Sequence, residues 1–255
     1  MRAERGNAMT TVIETVDLTR RFGRLDAVEK LNLQIPVGSL FAFVGPNGAG
    51  KTTTIKMLLN LLRPTSGKAI VLGTDSRRLG PRELARIGYV SENQDLPDWM
   101  TIEQLTAYVR PLYPTWDEAL CRKLQRDLDL TSRLPMRSFS RGMRMKAALL
   151  VSLAYRPELV VLDEPFSGLD PLARDELIRA LLELTGEHNW TTLISSHDID
   201  EVERLADSIA FINNGRVFVT ESVQELIGKY RRPLRDIFVM LARQSREHAV
   251  AAEAT

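Results

Sequence analysis

Cysteine is nearly absent from this sequence, since Cys121 is the only one among its 255 residues. One thiol excludes an internal disulfide and makes a cysteine-ligated metal site a poor expectation, which suits a reducing compartment. Long apolar runs are also missing, because the stretch 147–154 is far shorter than the roughly 20 residues that span a bilayer. The opening segment, MRAERGNAM, lacks the apolar core of a secretory signal. Any attachment to a membrane is therefore expected to come through a partner protein.

Charge of one sign is not in excess either. Lys and Arg number 34 and Asp and Glu number 33, so the formal net charge is +1. This balance implies no polyelectrolyte partner, and no nucleic acid is expected as one. The length suffices for one large domain with a lobe or for two small domains.

A glycine-rich segment follows a short apolar run that is typical of a strand. Residues 45–52 read GPNGAGKT, which fits G-x-x-x-x-G-K-[ST], and the stretch 53–62 after them has a helical pattern. Glycines allow a nest of backbone N–H groups around phosphate oxygens, at the positive end of the following helix. The candidate phosphate-binding residues are Gly45, Asn47, Gly48, Ala49, Gly50, Lys51, Thr52 and Thr53. Alone, this pattern indicates an NTP-binding P-loop, a class that includes kinases, GTPases and motors.

A second apolar run ends in two adjacent acids. Residues 159–162 read LVVL and are followed by Asp163 and Glu164, as expected for a parallel strand that is buried on both faces and ends at a ligand site. Asp163 is placed to hold Mg²⁺, and Glu164 is a candidate base or orienter for an attacking water. A surface acid pair at a strand end is the structural alternative, and the P-loop upstream makes it the weaker one.

Four further segments carry a resemblance to a known family. FSRGM at 139–143 resembles the signature segment usually written LSGGQ, and SGLD at 167–170 resembles the D-loop. His197 follows an apolar run where that family has a switch histidine, and Phe22 lies where it keeps an adenine-stacking aromatic. Over about residues 10 to 230 the chain resembles an ATP-binding-cassette (ABC) ATPase subunit.

The resemblance implies a fold and a division into segments. The expected fold is the α/β P-loop NTPase cassette, with a parallel-sheet core, an antiparallel β subdomain and an inserted helical lobe. We assign residues 1–10 to a flexible N-terminal extension and 11–230 to the ATPase domain, with the helical lobe at about 93–155. Residues 231–255 are expected to form a short C-terminal helix, with apolar positions at 234, 237, 238 and 241, and a frayed tail.

The resemblance also implies a mechanism. In ABC ATPases two subunits pack head to tail, so each ATP lies between one P-loop and the partner's signature helix. Ser140, Gly142 and Asp170 are then expected at the nucleotide of the partner subunit, and Lys51, Glu164 and His197 are expected to be catalytic. The expected partners are a second ATPase subunit, homo- or heterodimeric, and a separately encoded membrane permease. The chain is accordingly expected in the cytoplasm, peripheral on the inner face of the cell membrane, with ATP and Mg²⁺ as its nucleotide and metal.

Two departures from the family pattern are visible. Arg141 and Met143 replace the first glycine and the glutamine of the signature, and Glu92 follows a strand where the family usually has glutamine. A carboxylate at that place could still coordinate Mg²⁺, so the candidate metal ligands are Thr52, Glu92 and Asp163. Similar variants occur in bacterial export-type subunits, and we therefore expect an exporter, with no residue that identifies its substrate.

Two other classes are weaker. A soluble ABC ATPase without a membrane partner, such as a cluster-assembly type, is hard to exclude from sequence. A P-loop kinase or GTPase has no use for the FSRGM and SGLD segments together.

The region between Glu92 and Ser138 also holds four large aromatic residues, which either pack the helical lobe or form a groove for a short partner helix. They are Trp99, Tyr108, Tyr113 and Trp116.

Overall fold

The computed structural model describes residues 11–92, 94–130, 133–188 and 190–253, with the backbone alone at 188 and 245–253. The extension predicted over residues 1–10 lies outside these ranges. No helix within them combines the length and apolarity that a bilayer crossing requires.

The strands form two sheets. In chain order they are β1 Thr11–Phe22, β2 Leu25–Pro36, β3 Leu40–Val44, β4 Ser66–Val71, β5 Thr74–Asp75, β6 Ile87–Ser91, β7 Leu159–Asp163, β8 Thr191–Ser196, β9 Ser208–Asn213 and β10 Arg216–Ser222. The smaller sheet has the order β2-β1-β4-β5 and is antiparallel. The larger has the order β10-β9-β3-β8-β7-β6, in which every neighbouring pair is parallel except β9 with β10. The predicted fold class is therefore confirmed.

Helices connect the strands of the central sheet. They are α1 Lys51–Leu58, α2 Pro81–Leu84, α3 Ile102–Val109, α4 Glu118–Asp127, α5 Arg141–Leu153, α6 Pro171–His188, α7 Ile199–Glu203, α8 Val223–Tyr230 and α9 Leu234–Glu253. Side-chain caps explain where several of them begin. Asp117 accepts a hydrogen bond from the Leu120 amide before α4, and Ser222 accepts one from the Glu225 amide before α8. The segment predicted as an inserted lobe thus holds α3, α4 and α5 between β6 and β7.

The strand β3 shows how the sheet is buried on both faces. Its alternate residues Phe41 and Phe43 pack into a core shared with the antiparallel sheet and α1. Leu40, Ala42 and Val44 face the opposite core, which includes apolar residues of α5 and α6. Because side chains alternate along a strand, five consecutive apolar residues serve two cores at once. The central sheet is thereby held rigidly, and its carboxyl edge is a fixed platform for the site.

The C-terminal helix is longer than predicted. Its apolar residues Leu234 and Ile237 are buried, and Phe238 packs against Phe211 with ring centroids 5.0 Å apart. We expected a short helix whose last apolar position is 241, followed by a frayed tail, yet α9 continues to Glu253. The sequence after 242 is rich in Ala, Arg and Glu, which have high helix propensity and extend a helix already anchored by packing.

Candidate active site

The glycine-rich loop lies between β3 and α1 and packs closely against the strands beneath it. Gly50 has φ of 108°, and a Cβ atom there would lie 2.4 Å from the Ala27 carbonyl oxygen. A Cβ at Gly45 would lie 2.1 Å from the carbonyl oxygen of Ile212. Only glycine fits either place. Gly48 also has positive φ, of 80°, but a Cβ there would meet nothing within 4 Å, so this part of the loop borders open space. The arrangement presents backbone amides at the N-terminus of α1.

Lys51 is the first residue of α1 and its side chain is folded into the loop. Its ammonium donates hydrogen bonds to the carbonyl oxygens of Gly45 and Pro46 at 2.6 and 3.2 Å. It also lies 2.9 Å from Oε1 of Glu164. Both side chains of this ion pair are nearly buried, at 5% and 10% exposure. A flexible cation held inside the loop is positioned to follow incoming phosphate oxygens.

A hydroxyl and a carboxylate from different segments meet at the N-terminus of α1. The Thr52 hydroxyl donates to Oδ1 of Asp163 at 3.1 Å, and the Ser195 hydroxyl donates to the same oxygen at 2.6 Å. Within the described ranges no cluster of three or more His, Cys, Asp or Glu side chains could hold a metal ion. One hydroxyl and one carboxylate do fit a hard cation that takes its other oxygens from water and phosphate, as Mg²⁺ does.

Asp163 is buried at the end of β7. Burial raises the pKa of its carboxyl above the usual range, and the hydrogen bonds from Ser195 and Thr52 oppose that rise. The negative charge of Glu164 raises the pKa further. The carboxylate is thus held by two hydroxyl donors in a place that disfavours its charge, which is a common condition at functional sites.

Glu164 occupies a strained backbone conformation. Its φ is 53°, in the left-handed region that side chains other than glycine rarely adopt. Its amide is held by the hydroxyl and the carbonyl oxygen of Ser195, at 3.0 and 3.2 Å. The turn directs the carboxylate between two groups, with Oε1 facing Lys51 and Oε2 lying 2.7 Å from Nδ1 of His197. The structure therefore brings together the three side chains predicted to be catalytic.

Ser195 was missed by sequence reasoning although it organises both acids. It lies directly opposite Asp163 in the parallel pairing of β7 with β8. The signal was a hydroxyl-bearing residue two positions before His197, at the end of an apolar strand. Without the register of the two strands, nothing in the sequence distinguishes its role from that of Ser196, which instead donates to Glu201 at 2.8 Å.

The predicted signature residues open the helix α5. The Ser140 hydroxyl caps this helix by accepting a hydrogen bond from the Met143 amide at 3.2 Å. First-turn amides such as that of Gly142 have no partner within a helix and are free to bind an anion. Gly142 has a packing role too, because a Cβ there would lie 3.1 Å from the Cβ of Ala173 on α6. Ser140 itself is exposed, so the helix N-terminus is open to a second molecule.

Two predicted nucleotide contacts lie at the borders of this region. Asp170 is exposed and caps α6, with its carboxylate accepting hydrogen bonds from the amides of Leu172 and Ala173 at 3.0 Å each. Phe22 lies at the end of β1 with 45% of its surface exposed. The Arg20 guanidinium lies 4.4 Å from the centre of the ring, which leaves the other face of the ring for a planar ligand.

Glu92 follows β6, and its carboxylate contacts two other side chains of the same subunit. Its Oε1 accepts a hydrogen bond from the Ser167 hydroxyl at 2.7 Å and forms an ion pair with Nη2 of Arg141 at 3.1 Å. The role of Glu92 as a metal ligand stays a prediction. Ser167 was missed as a functional candidate because its contact with Glu92 joins residues that are distant in sequence.

Comparison with known proteins identifies the family. A family profile described as ABC transporter matches residues 28–167, which is more than half of the chain. The chain belongs to the ABC transporter family. Its P-loop, the acids of β7 and the signature segment lie inside the matched range, whereas Asp170 and His197 lie beyond it.

Three curated relatives are similar over most of the chain. The bacitracin transport ATP-binding protein BcrA of Bacillus licheniformis is 36% identical over 82% of this chain and 69% of its own length. The lantibiotic transport ATP-binding protein SrtF of Streptococcus pyogenes is 32% identical over 84% and 95% respectively. The osmoprotectant import ATP-binding protein OsmV of Salmonella typhimurium is 33% identical over 86% and 60%.

A solved structure supports the same assignment. The structure described as the ATP binding subunit of an ABC transporter superposes with a TM-score of 0.79 at 28% identity, covering 91% of this chain and 100% of the other. This ABC family member is thus an ATP-binding subunit of a transporter, and its cassette hydrolyses ATP.

Proposed function

We propose that this chain is the ATP-hydrolysing subunit of a membrane exporter and that it works as a dimer that closes on MgATP and opens after hydrolysis. The observation that carries the proposal is the arrangement of Lys51 and His197 around the carboxylate of Glu164, beside the N-terminus of α1. This arrangement provides a cation for phosphate, a base for water and a second polar group to orient that base.

Hydrolysis is assigned to the chain's own side chains. Lys51 leaves the carbonyl oxygens of Gly45 and Pro46 and binds phosphate oxygens. That departure releases Oε1 of Glu164, which accepts a proton from the attacking water. His197 keeps the carboxylate oriented through Oε2 and faces the γ-phosphate with the other side of its ring. Thr52 and Asp163 would hold Mg²⁺, which when bound neutralises phosphate charge.

A dimer completes the site. The Ser140 hydroxyl is exposed at the start of α5, and the amide of the buried Gly142 belongs to the first turn of that helix, where the helix dipole favours an anion. We assign them, with Asp170, to the nucleotide bound by the partner subunit. Loss of the γ-phosphate weakens these contacts, so that hydrolysis is converted into opening of the dimer.

A permease is proposed to dock in a groove between the two lobes. The groove has a volume of about 530 Å³ and is bordered by exposed apolar residues that include Leu61, Tyr108 and Leu112. Tyr113 also borders it and stacks on Tyr155 with ring centroids 3.8 Å apart. An amphipathic helix on the cytosolic side of a permease would bury these side chains. The chain would then lie on the inner face of the cell membrane.

The four aromatic residues singled out in the sequence differ in their surroundings. Tyr108 and Tyr113 line the groove, whereas Trp116 packs against the helical core. Trp99 is 69% exposed and is not among the residues that line the groove. The apolar border residues on α3 and just after it are therefore better targets than Trp99 for a test of docking.

Export is the direction that we favour. BcrA and SrtF are named for transport of bacitracin and of a lantibiotic. The variant residues Glu92 and Arg141 are of the kind that the family resemblance links to export-type subunits. OsmV is named for import, so the direction has to be measured in a reconstituted transporter.

The test is co-purification from membranes followed by transport in vesicles. We expect the tagged chain to retain an integral membrane protein, and Leu112→Glu to lose it because a charge would be placed in the groove. Val37→Glu is the matched control, since Val37 is similarly exposed, at 57%, and lies outside the groove. Recovery of no integral protein, or equal recovery with both variants, would contradict the proposed docking. In vesicles that carry the complex, ATP-driven movement of the transported substrate away from the ATPase side supports export. Movement of that substrate toward the ATPase side contradicts export.

A further inference from the structure

The two departures from the family pattern touch each other in the folded chain. Nη2 of Arg141, at the start of α5, lies 3.1 Å from Oε1 of Glu92, just after β6. The Ser167 hydroxyl, just after β7, donates to the same oxygen at 2.7 Å. One carboxylate oxygen thus joins three segments that are 49 and 75 residues apart in sequence.

The Arg141 guanidinium also covers the turn that follows Ser167. Gly168 has φ of 67°, and a Cβ there would lie 2.5 Å from Nη1 of Arg141 and 2.7 Å from its central carbon. The planar guanidinium therefore lies directly against the backbone of this turn. A side chain at 168 would displace it, so the glycine and the arginine fit each other.

Stability alone does not account for this arrangement. The side chains of Arg141 and Glu92 are 47% and 36% exposed, and ion pairs at such places contribute little to the free energy of unfolding. Their position is the informative property. The Glu92 amide donates to the carbonyl oxygen of Asp163 at 2.9 Å, so the pair links the segment next to Asp163 to the N-terminus of α5.

We propose that Arg141 is a positioning residue that couples the two nucleotide sites of the dimer. It holds Glu92 and the turn 167–168 against the start of α5. A displacement of Glu92 when one nucleotide binds is then passed to Ser140 and Gly142, which serve the nucleotide of the partner subunit. This inference rests on the proposed dimer, and it adds the residue that transmits the state of one site to the other.

A control pair exists at the opposite ends of β6 and β7. Arg86 and Glu158 form a bidentate ion pair, with distances of 2.6 and 2.8 Å, next to the amino ends of β6 and β7. Their exposures of 42% and 55% resemble those of Arg141 and Glu92. The control has the same chemistry at the opposite edge of the sheet, away from the P-loop.

The test is a double-mutant cycle of Arg141→Gly and Glu92→Gln, with Arg141→Lys as the conservative variant and Arg86→Gly with Glu158→Gln as the control cycle. Turnover number, KM, the Hill coefficient for MgATP, and the affinity of a fluorescent ATP analogue are measured. Thermal unfolding confirms that each variant is folded.

We expect each single change at 141 or 92 to lower turnover and the Hill coefficient, while affinity for the analogue changes by less than about twofold. Each single substitution removes the same contact between Arg141 and Glu92. The turnover of the double variant should therefore be at least about threefold higher than the product of the two single reductions predicts. Arg141→Lys should recover much of the loss, and the control cycle should show no coupling.

The role of Arg141 is overturned if the reductions in turnover from Arg141→Gly and Glu92→Gln simply multiply in the double variant. It is also overturned if the control cycle shows equal coupling. If the parent chain forms no ATP-dependent dimer, the proposed function fails and this inference falls with it. A dimer with multiplying effects leaves the proposed function intact, so the two failures are distinguishable.

Discussion

Nδ1 of His197 lies 2.7 Å from Oε2 of Glu164, while the other oxygen of that carboxylate faces the ammonium of Lys51. The two residues come from the ends of neighbouring parallel strands, and the positive φ of Glu164 turns its side chain toward both partners. In the free chain Lys51 is thus paired with the Glu164 carboxylate, which is the proposed base. Binding of a phosphate that draws Lys51 away would free the carboxylate only when substrate is present.

Glu164→Gln should bind MgATP with near-parental affinity but lose almost all turnover. The amide keeps the shape of the side chain and its contact with His197 but cannot accept a proton from water. General-base catalysis is typically worth about 10²–10⁴-fold in rate. Turnover is measured with a coupled phosphate assay, and the trapped closed dimer is detected by size-exclusion chromatography with ATP. The matched control Glu158→Gln should behave like the parent, and parental turnover in Glu164→Gln would disprove the base assignment.

His197→Ala should lower the turnover number strongly with little change in KM. The lost side chain orients a group that acts in the chemical step, so the interaction is made in the transition state and not in ground-state binding. The double variant with Glu164→Gln should be about as slow as Glu164→Gln alone, since residues that act as a unit do not give additive effects. A double variant slowed by the product of both factors would show that His197 acts independently of Glu164.

Asp163→Asn should stabilise the nucleotide-free chain at neutral pH although it abolishes hydrolysis. The folded-state pKa of Asp163 is raised by burial, so the carboxylate costs stability when it is ionised. For a raised folded-state pKa, stability is greatest when the group is protonated and is lost as pH rises through that pKa. Asparagine keeps the acceptor oxygen for Thr52 and Ser195 but carries no charge.

The stability gain is measured as a difference in melting temperature between Asp163→Asn and the parent across a pH series. A chain of this size shifts by about 2–4 °C per kcal/mol. This difference in melting temperature should be largest at neutral pH and should narrow as acidification protonates Asp163 in the parent. A gap that widens toward acid, or a variant that melts below the parent at neutral pH, would contradict this assignment.

The family resemblance implied the fold, and local patterns predicted the parts of the site that are contiguous in sequence. The continuous apolar run of β3 and the glycines after it require only neighbouring residues to be interpreted, and so do the two acids at the end of the β7 run. An asparagine-glycine pair between two apolar runs predicts a hairpin turn from sequence alone, and Asn214 and Gly215, between β9 and β10, both have positive φ.

Contacts that depend on the register of distant strands could not be predicted. Ser195 meets Asp163 only because β8 pairs with β7 without a shift. The contact between Arg141 and Glu92 joins two positions that the sequence shows only as separate departures from a family pattern. Likewise, the sequence placed Tyr108 and Trp116 in the region predicted as a helical lobe but did not tell which of them would be exposed.

Phe22→Ala should weaken nucleotide affinity by roughly tenfold, since stacking of a base on an aromatic ring is worth about 1–3 kcal/mol. Arg20 lies over one face of the ring and restricts its motion, so the ring is partly ordered before a base arrives. Every base has a face that can stack, and the affinities for ATP and GTP should therefore fall by the same factor. Binding is measured by titration with fluorescent analogues of both nucleotides. Leu25→Ala is the matched control, because Leu25 pairs with Phe22 across the turn between β1 and β2 and is 66% exposed. If Leu25→Ala weakens binding as much as Phe22→Ala, the loss comes from the strand end as a whole, and the stacking role of Phe22 is wrong.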